Sequence, residues 1–264
     1  MRESGTREMN AIAPEFRVLG VRVDAIQLPG AVARIRRWIE NRDTGKYVAV
    51  TGMHGVAESR QDPRFRKILN HAGLVVPDGM PLVWLGRWHG HSLRRRVTGA
   101  ELMLAFCRET GPRARHFFYG GAPGVAEDLA RQLHEQFNIT VAGTYTPPFR
   151  PLTDDEELDL AVQVKAAAPD ILWVGLSTPK QERWMYDHRE NLKVPVMLGV
   201  GAAFDMNSGR LKRAPAWMRE SGLEWFYRLL SEPRRLWKRY LVTIPQSMWS
   251  ISLELFHIRK FDQN

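Results

Sequence analysis

An aspartate set between a proline and a glycine, Asp78 in Val76-Pro77-Asp78-Gly79, is one residue whose chemistry asks for a reading. A carboxylate at the end of an apolar run can take a proton from a hydroxyl. It can equally close an Asx turn or cap the helix that starts near Pro81, and the local sequence leans slightly to that plain role. Gly120-Gly121-Ala122-Pro123-Gly124 reads as a turn whose backbone N–H groups could cradle a phosphate, or as a tight strand–helix turn needing positive φ. In Ser177-Thr178-Pro179-Lys180-Gln181-Glu182, Pro179 suits the first helical turn, Lys180 could meet a diphosphate and Gln181 could bond a sugar; an ordinary charged helix start explains the same residues. Asp205 follows a glycine-rich run, where an acidic residue can hold a ribose hydroxyl or cap a helix. His54 stands just past Thr51 at another apolar run, and a lone histidine is more often structural than catalytic.

The elements that must position these residues alternate. Apolar, β-branched runs at 18–23, 47–51, 74–76, 117–119, 139–142, 171–174 and 196–200 read as strands, with helical patterns between them. Thr153 is placed to cap a helix over 153–168 with an acidic first turn. Strands separated by helices predict an α/β, Rossmann-like fold: a mainly parallel sheet with helices on both faces. In such sheets ligands sit beyond the carboxyl ends of the strands, where every segment singled out above would converge.

Composition narrows the classes. With 264 residues, 44% hydrophobic and 25% charged, the chain is neither disordered, collagen-like nor a coiled coil. Its single cysteine, Cys107, excludes an internal disulfide and points to a reducing cytoplasm. No signal peptide and no long uncharged apolar stretch is visible. There is no D-x-D, H-E-x-x-H, Walker-A or G-x-S-x-G pattern, so no metal site, ATPase or hydrolase elbow is expected.

The formal charge of +9 calls for an anionic partner. Between Arg210 and Tyr240 stand nine Lys/Arg and three Glu, interleaved with aromatics. The chain therefore divides into a flexible 1–15, a core over 16–209 and a basic helical appendage over 210–264. Helical spacing sets Phe226, Leu230, Pro233, Trp237 and Tyr240 on one face, with Arg228, Arg234, Arg235, Lys238 and Arg239 elsewhere. Beyond Pro245, Met248, Ile251, Leu255 and Ile258 oppose Ser247, Ser250, Glu254 and His257. Such helices suit an anionic membrane surface, or else cover the core.

Six ordered motifs together resemble the WecG/TagA/CpsF glycosyltransferases over roughly residues 18–241. They are 76–84 around Pro77-Asp78-Gly79, 96–103 around Val97-Thr98-Gly99, 118–127 around Gly120-Gly121, 174–184 around Pro179-Lys180-Gln181-Glu182, 199–205 followed by 212–218, and 222–229 followed by 232–235. The resemblance implies an inverting, metal-independent enzyme without cofactor, moving a hexose of glucose or N-acetylmannosamine type. The donor is a UDP-sugar and the acceptor a polyprenyl-diphosphate-linked sugar, in bacterial exopolysaccharide or other surface-polysaccharide synthesis. The implied location is the inner face of the cytoplasmic membrane, with a membrane-docking appendage and room for a homo-oligomer. It also implies Asp78 as general base, Thr51 near the acceptor, Gln181 beside the sugar diphosphate, Asp205 near the nucleoside, Arg96 near the pocket, and the appendage arginines at the lipid diphosphate. Many members read Thr-x-Asn where this chain has Thr51-Gly52-Met53-His54, so His54 takes a polar role there. A nucleic-acid-binding protein would share the basic aromatic C-terminus but shows no nucleic-acid motif. A non-catalytic nucleotide-sugar-binding protein is disfavoured by an intact Asp78.

Overall fold

The computed structural model describes residues 14–255 other than 216, 219 and 220. The run predicted as one strand over 18–23 is two, β1 (Glu15–Val18) and β2 (Val21–Asp24), paired antiparallel. Leu19 and Gly20 between them both have positive φ, 51° and 82°. A two-residue turn of this hand matches the strand twist; Leu19 disguises it, because leucine seldom adopts that conformation.

Six strands form the main sheet: β3 (Lys46–Thr51), β4 (Leu74–Pro77), β5 (Arg115–Gly120), β6 (Thr140–Tyr145), β7 (Ile171–Gly175) and β8 (Val196–Gly199). Their order is β4-β3-β8-β7-β5-β6, and every neighbouring pair is parallel. All six carboxyl ends therefore lie along one edge. Helix α1 (Leu28–Glu40) precedes β3; α2 (Met53–Gln61) and α3 (Pro63–His71) follow it; α4 (Met80–Trp88) and α5 (Gly99–Thr110) follow β4. Then α6 (Val125–Phe137), α7 (Asp154–Ala167), α8 (Lys180–Leu192) and α9 (Ala203–Asn207) follow β5, β6, β7 and β8.

Alternation along the strands splits the interior into two cores. Val48 and Val50 of β3 pack with residues of α1, α5, α6 and α9 on one face. Tyr47 and Ala49 pack with the hairpin, α2, α3, α4, α7 and α8 on the other. The predicted cap at Thr153 is a full capping box with Glu156, whose carboxylate also takes two bonds from Arg150. Buried Asp24 closes the edge of the sheet, accepting from the Val75 N–H of β4 at 2.7 Å. Burial raises its pKa against the opposing pull of that N–H and of Arg22.

At the other end of the strands lies His116, fully buried on β5 and stacked on Trp173 and Phe118. Its Nδ1 accepts the Trp173 indole N–H at 3.1 Å, which places the ring proton on Nε2. Burial lowers its pKa to about 4, so it is neutral in the folded protein at pH 7. The unfolded chain takes up that proton below about pH 6.5, and the folded chain only near 4. Between those values acid costs the fold up to about 3 kcal/mol through this one ring. His116→Gln, which keeps an acceptor, should lose that part of the slope. Urea unfolding of both proteins at pH 7.5 and 5 measures it, and equal slopes would refute the assignment.

The C-terminal helices depart from their predicted pattern. Helix α10 (Glu224–Ser231) ends before Pro233, which starts α11 (Pro233–Lys238). Proline cannot continue a helix from the preceding turn, so 226–240 is not one straight face. Phe226, Leu230 and Trp237 are exposed, whereas Leu236 is buried. A π-helical turn, Arg239–Thr243, leads into α12 (Ile244–Leu255). There the serines predicted to face away from the apolar stripe are buried with Ile251. Arg60 of α2 donates to Ser250. Ser247 and Ser250 return their hydroxyls to the carbonyls of Thr243 and Gln246, so they enter the interface without orphaned polar atoms. Met248 and Trp249 are left exposed. His257 and Ile258 lie outside the described residues. Among the described residues no helix is long and apolar enough to cross a membrane.

Candidate active site

The site is built where β4 and β3 end side by side. Pro77 and Thr51 are register partners, and the Asp78 N–H donates to the Thr51 carbonyl at 2.8 Å. Gly52 follows Thr51 closely enough to Asp78 that a Cβ would collide with the Asp78 carbonyl. The backbone of Asp78 is thereby fixed against β3, and its side chain is half-buried at the strand ends. Gly79, at φ 120°, holds the N-cap position of α4, and no side chain caps that helix; Asp78 is not its cap.

Thr51 is buried, and its hydroxyl lies against the space where Gly55 lacks a side chain. Thr178 approaches the same space from the β7–α8 turn, so the β3 and β7 ends meet through two small residues. His54, predicted at a strand end, belongs to the first turn of α2, half-buried with Nδ1 3.8 Å from Glu58.

Arg96 comes to the strand ends from the segment before α5, where the Val97 N–H donates to the Pro77 carbonyl at 3.0 Å. Its guanidinium pairs with Glu224 at the start of α10. Burial works against its charge, yet Glu224 first and Asp78 next more than offset this, and its pKa is raised. A cation beside Asp78 is thus held by a carboxylate of the C-terminal segment.

On the β7–α8 side, Pro179 occupies the N-cap of α8 rather than its first turn, and Lys180 begins the helix, exposed. Gln181 is buried: its Oε1 accepts from the Gly201 N–H at 2.9 Å, and its Nε2 donates to Glu182 at 3.0 Å. Its amide thus joins the β7–α8 turn to the β8–α9 turn. Glu182, fully buried, also accepts from the Thr178 hydroxyl at 2.7 Å. Burial raises its pKa despite those two bonds. The sequence reading passes over Glu182, although it completes the Pro179-Lys180-Gln181-Glu182 string. Helix α8 is anchored from both sides. Trp184 stacks on Tyr119 of β5 at 4.1 Å, and Arg183 pairs with Asp62, the cap of α3.

Gly120, Gly121 and Gly124 all have positive φ, and a Cβ at Gly120 would stand 2.8 Å from the Gly175 carbonyl group. Close approach of β5 to β7 therefore accounts for Gly120, whereas a Cβ at Gly121 would meet Val125 and one at Gly124 the Arg210 guanidinium. The helix they open, α6, carries Glu127 and Asp128 in its first turn, and Arg210 pairs with Asp128 at 2.7 Å. By contrast, α2 and α4 begin with neither a side-chain cap nor an acidic residue. Their N-terminal dipoles, beside Asp78, are open to an anion. Asp205 sits within the short α9, half-buried, and so is not its N-cap. Among the described residues no three His, Cys, Asp or Glu side chains gather as metal ligands.

Of the C-terminal cations, Arg228 is half-buried and turns inward. It lines a crevice between α9 and α10 with Lys212, Arg213, Tyr227 and Glu232, rather than an outer face. Arg234 and Lys238 are exposed on α11, and Arg235 and Arg239 follow the same backbone.

Residues 16–260 match the Glycosyl transferase WecG/TagA/CpsF family. Three relatives carry the name N-acetylglucosaminyldiphosphoundecaprenol N-acetyl-beta-D-mannosaminyltransferase. The protein of Bacillus spizizenii is 29% identical over 85% of this chain and 86% of its own length. That of Bacillus subtilis is 32% identical over 70% and 71%, and that of Staphylococcus aureus 26% over 92% and 94%.

Proposed function

The chain belongs to the WecG/TagA/CpsF glycosyl transferase family, and from that premise we propose that it transfers N-acetylmannosamine from a UDP-sugar to a polyprenyl-diphosphate-linked N-acetylglucosamine, with inversion. Within the hexose reading, the relatives' names favour N-acetylmannosamine as the transferred sugar and a diphosphoundecaprenol-linked N-acetylglucosamine as the acceptor. The observation that carries the mechanism is Asp78, fixed by Thr51 at the shared edge of β4 and β3 with Arg96 beside it.

Asp78 removes the proton from the acceptor hydroxyl. The hydroxyl oxygen attacks the anomeric carbon as the bond to UDP breaks, and UDP leaves with the electron pair from the opposite face. General-base assistance of this kind contributes about 10²–10⁴-fold. Thr51 and His54 line the acceptor side, Gln181 positions the Gly201 turn beside the sugar diphosphate, and Asp205 meets the nucleoside. The open N-termini of α2 and α4, with Lys180 and Arg96, offset the charge of the leaving diphosphate in place of a metal. Arg234, Arg235, Lys238 and Arg239 meet the lipid diphosphate and the anionic inner face of the membrane, while Arg228 faces the crevice between α9 and α10. The C-terminal segment, residues 210–264, acts there as a docking appendage, for which exposed Trp237, Leu241 and Trp249 supply apolar contact. The product feeds a cell-surface polysaccharide.

A donor screen by mass spectrometry against a short-chain polyprenyl-diphosphate N-acetylglucosamine tests this reading. UDP-N-acetylmannosamine should be used in preference to UDP-glucose, and turnover should persist in excess chelator. Preference for UDP-glucose would overturn the donor assignment, and strict dependence on magnesium or manganese the metal-free one.

A further inference from the structure

Beyond the first turn of α4, the helix and the loop that follows it to Arg95 carry a surface that the reaction does not use. Met80, Trp84 and Trp88 recur every four residues along α4, and so share one side of the helix. Met80 lies against Gly222, where a Cβ would stand 3.0 Å from its Cγ, so the start of the stripe touches the segment leading into α10. The two tryptophans beyond it are uncovered, 55% and 74% exposed, while Leu82, Val83 and Leu85 bury the other side of the helix in the core.

After Trp88 the chain doubles back. Arg87 donates to the carbonyls of Leu93 and Arg94, at 2.6 and 2.7 Å. Gln27 exchanges two hydrogen bonds with the backbone of Arg95. These bonds lay the exposed Arg94 and Arg95 beside the end of α4. From Gly79 to Arg95 there is no acidic residue.

Two uncovered indoles edged by arginines, with no carboxylate between Gly79 and Arg95, make a cationic aromatic patch. They match the headgroup region of a bilayer, where tryptophan sits at the boundary and cations meet acidic lipids. We propose that Trp84 and Trp88, with Arg94 and Arg95, form a docking surface for an anionic lipid bilayer on the α/β core itself, separate from the C-terminal helices. The nine residues of α4 span about 14 Å, and the helix starts two residues past Asp78. Seating its far end among headgroups holds the strand-end crevice within a helix length of the membrane.

The test uses the full chain and vesicles of phosphatidylglycerol and phosphatidylethanolamine, with phosphatidylcholine vesicles for comparison. Cys107 is the only cysteine, is buried, and has its thiol pKa pushed up to about 12, so Trp84→Cys gives a single labelling position. A dye there should shift to the blue on the acidic vesicles and be quenched by lipid-borne quenchers. Trp84→Ser/Trp88→Ser should weaken partitioning about tenfold, and Arg94→Gln/Arg95→Gln should erase much of the preference for acidic lipid. Phe149→Ser, which removes an isolated and almost wholly exposed ring, should change neither. Turnover on a water-soluble acceptor should survive all three changes, which separates failure of this surface from failure of the enzymatic reading. A label that stays in water while the protein sediments with vesicles would overturn the proposal. So would undiminished binding by the double serine variant, or its conversion of a dimer to a monomer, which would assign the stripe to a second copy of the chain.

Discussion

Asp78→Asn should lower turnover by about 10²–10⁴-fold while leaving affinity for the UDP-sugar near that of the wild type. The asparagine keeps the size of the side chain and the backbone bond to Thr51, so the crevice is preserved. What is lost is an acceptor for the hydroxyl proton. In the proposed mechanism the carboxylate acts as attack begins, which puts the defect in kcat and not in donor binding. Calorimetric titration with UDP, beside turnover at saturating donor and acceptor, separates the two. Turnover within a few-fold of wild type would remove Asp78 from the chemistry. Unchanged kcat with lost UDP affinity would make it a binding residue.

The second large effect is expected at Arg96. Its pair with Glu224 is mostly buried, both partners showing less than a fifth of their side-chain surface to water. Arg96→Ala leaves the Glu224 carboxylate buried without its cation, and breaking such a pair costs about 3–5 kcal/mol. That loss falls on the seat of α10 more than on the sheet. Trypsin should therefore cut the variant at Arg228 or Arg234 at least tenfold faster than wild type, before the core melts. Replacing both partners, Arg96→Met with Glu224→Met, should restore much of the protease resistance without restoring turnover, because the cation beside Asp78 is still missing. Equal protease sensitivity of wild type and Arg96→Ala would show that the pair does not latch the C-terminal segment.

Local signals in this chain are honest ones. The capping box at Thr153, the acidic first turn of α7 and the glycines after β5 each follow from physics confined to a few neighbouring residues, and the sequence displays them. The strand runs were visible for the same reason, and so was the placing of Asp78 at a strand end. Other features depend on what comes from far along the chain. Arg96 and Glu224 stand 128 positions apart, and Gln181 and Gly201 join two turns across the sheet edge. Nothing local marks either pairing. At Leu19-Gly20 a turn hides behind a β-compatible residue. In α12 the serines look like a solvent face, yet their bonds to their own helix let them pack inward. The proline at 233 was visible, but helical spacing carried through it conceals the break that the ring imposes.

The strand order has a consequence for how the molecule comes into being. Chain order and spatial order disagree most at β8, which lies between β3 and β7 although it is the last strand of the sheet to be made. A nascent chain that has emerged only as far as β7 owns two separate pieces, β4-β3 and β7-β5-β6. Each presents an open edge that the finished protein never shows. The contact that closes them pairs Lys46 with Val196, a loop of 150 residues, and such long-range parallel pairing is slow to form. During synthesis the chain is therefore exposed to wrong partners until one four-residue strand arrives. The crevice is assembled at the same moment, since Asp78 and Thr51 belong to the first piece and the β7–α8 turn to the second. A half-made polypeptide thus has no working pocket with which to consume activated sugar before it can fold.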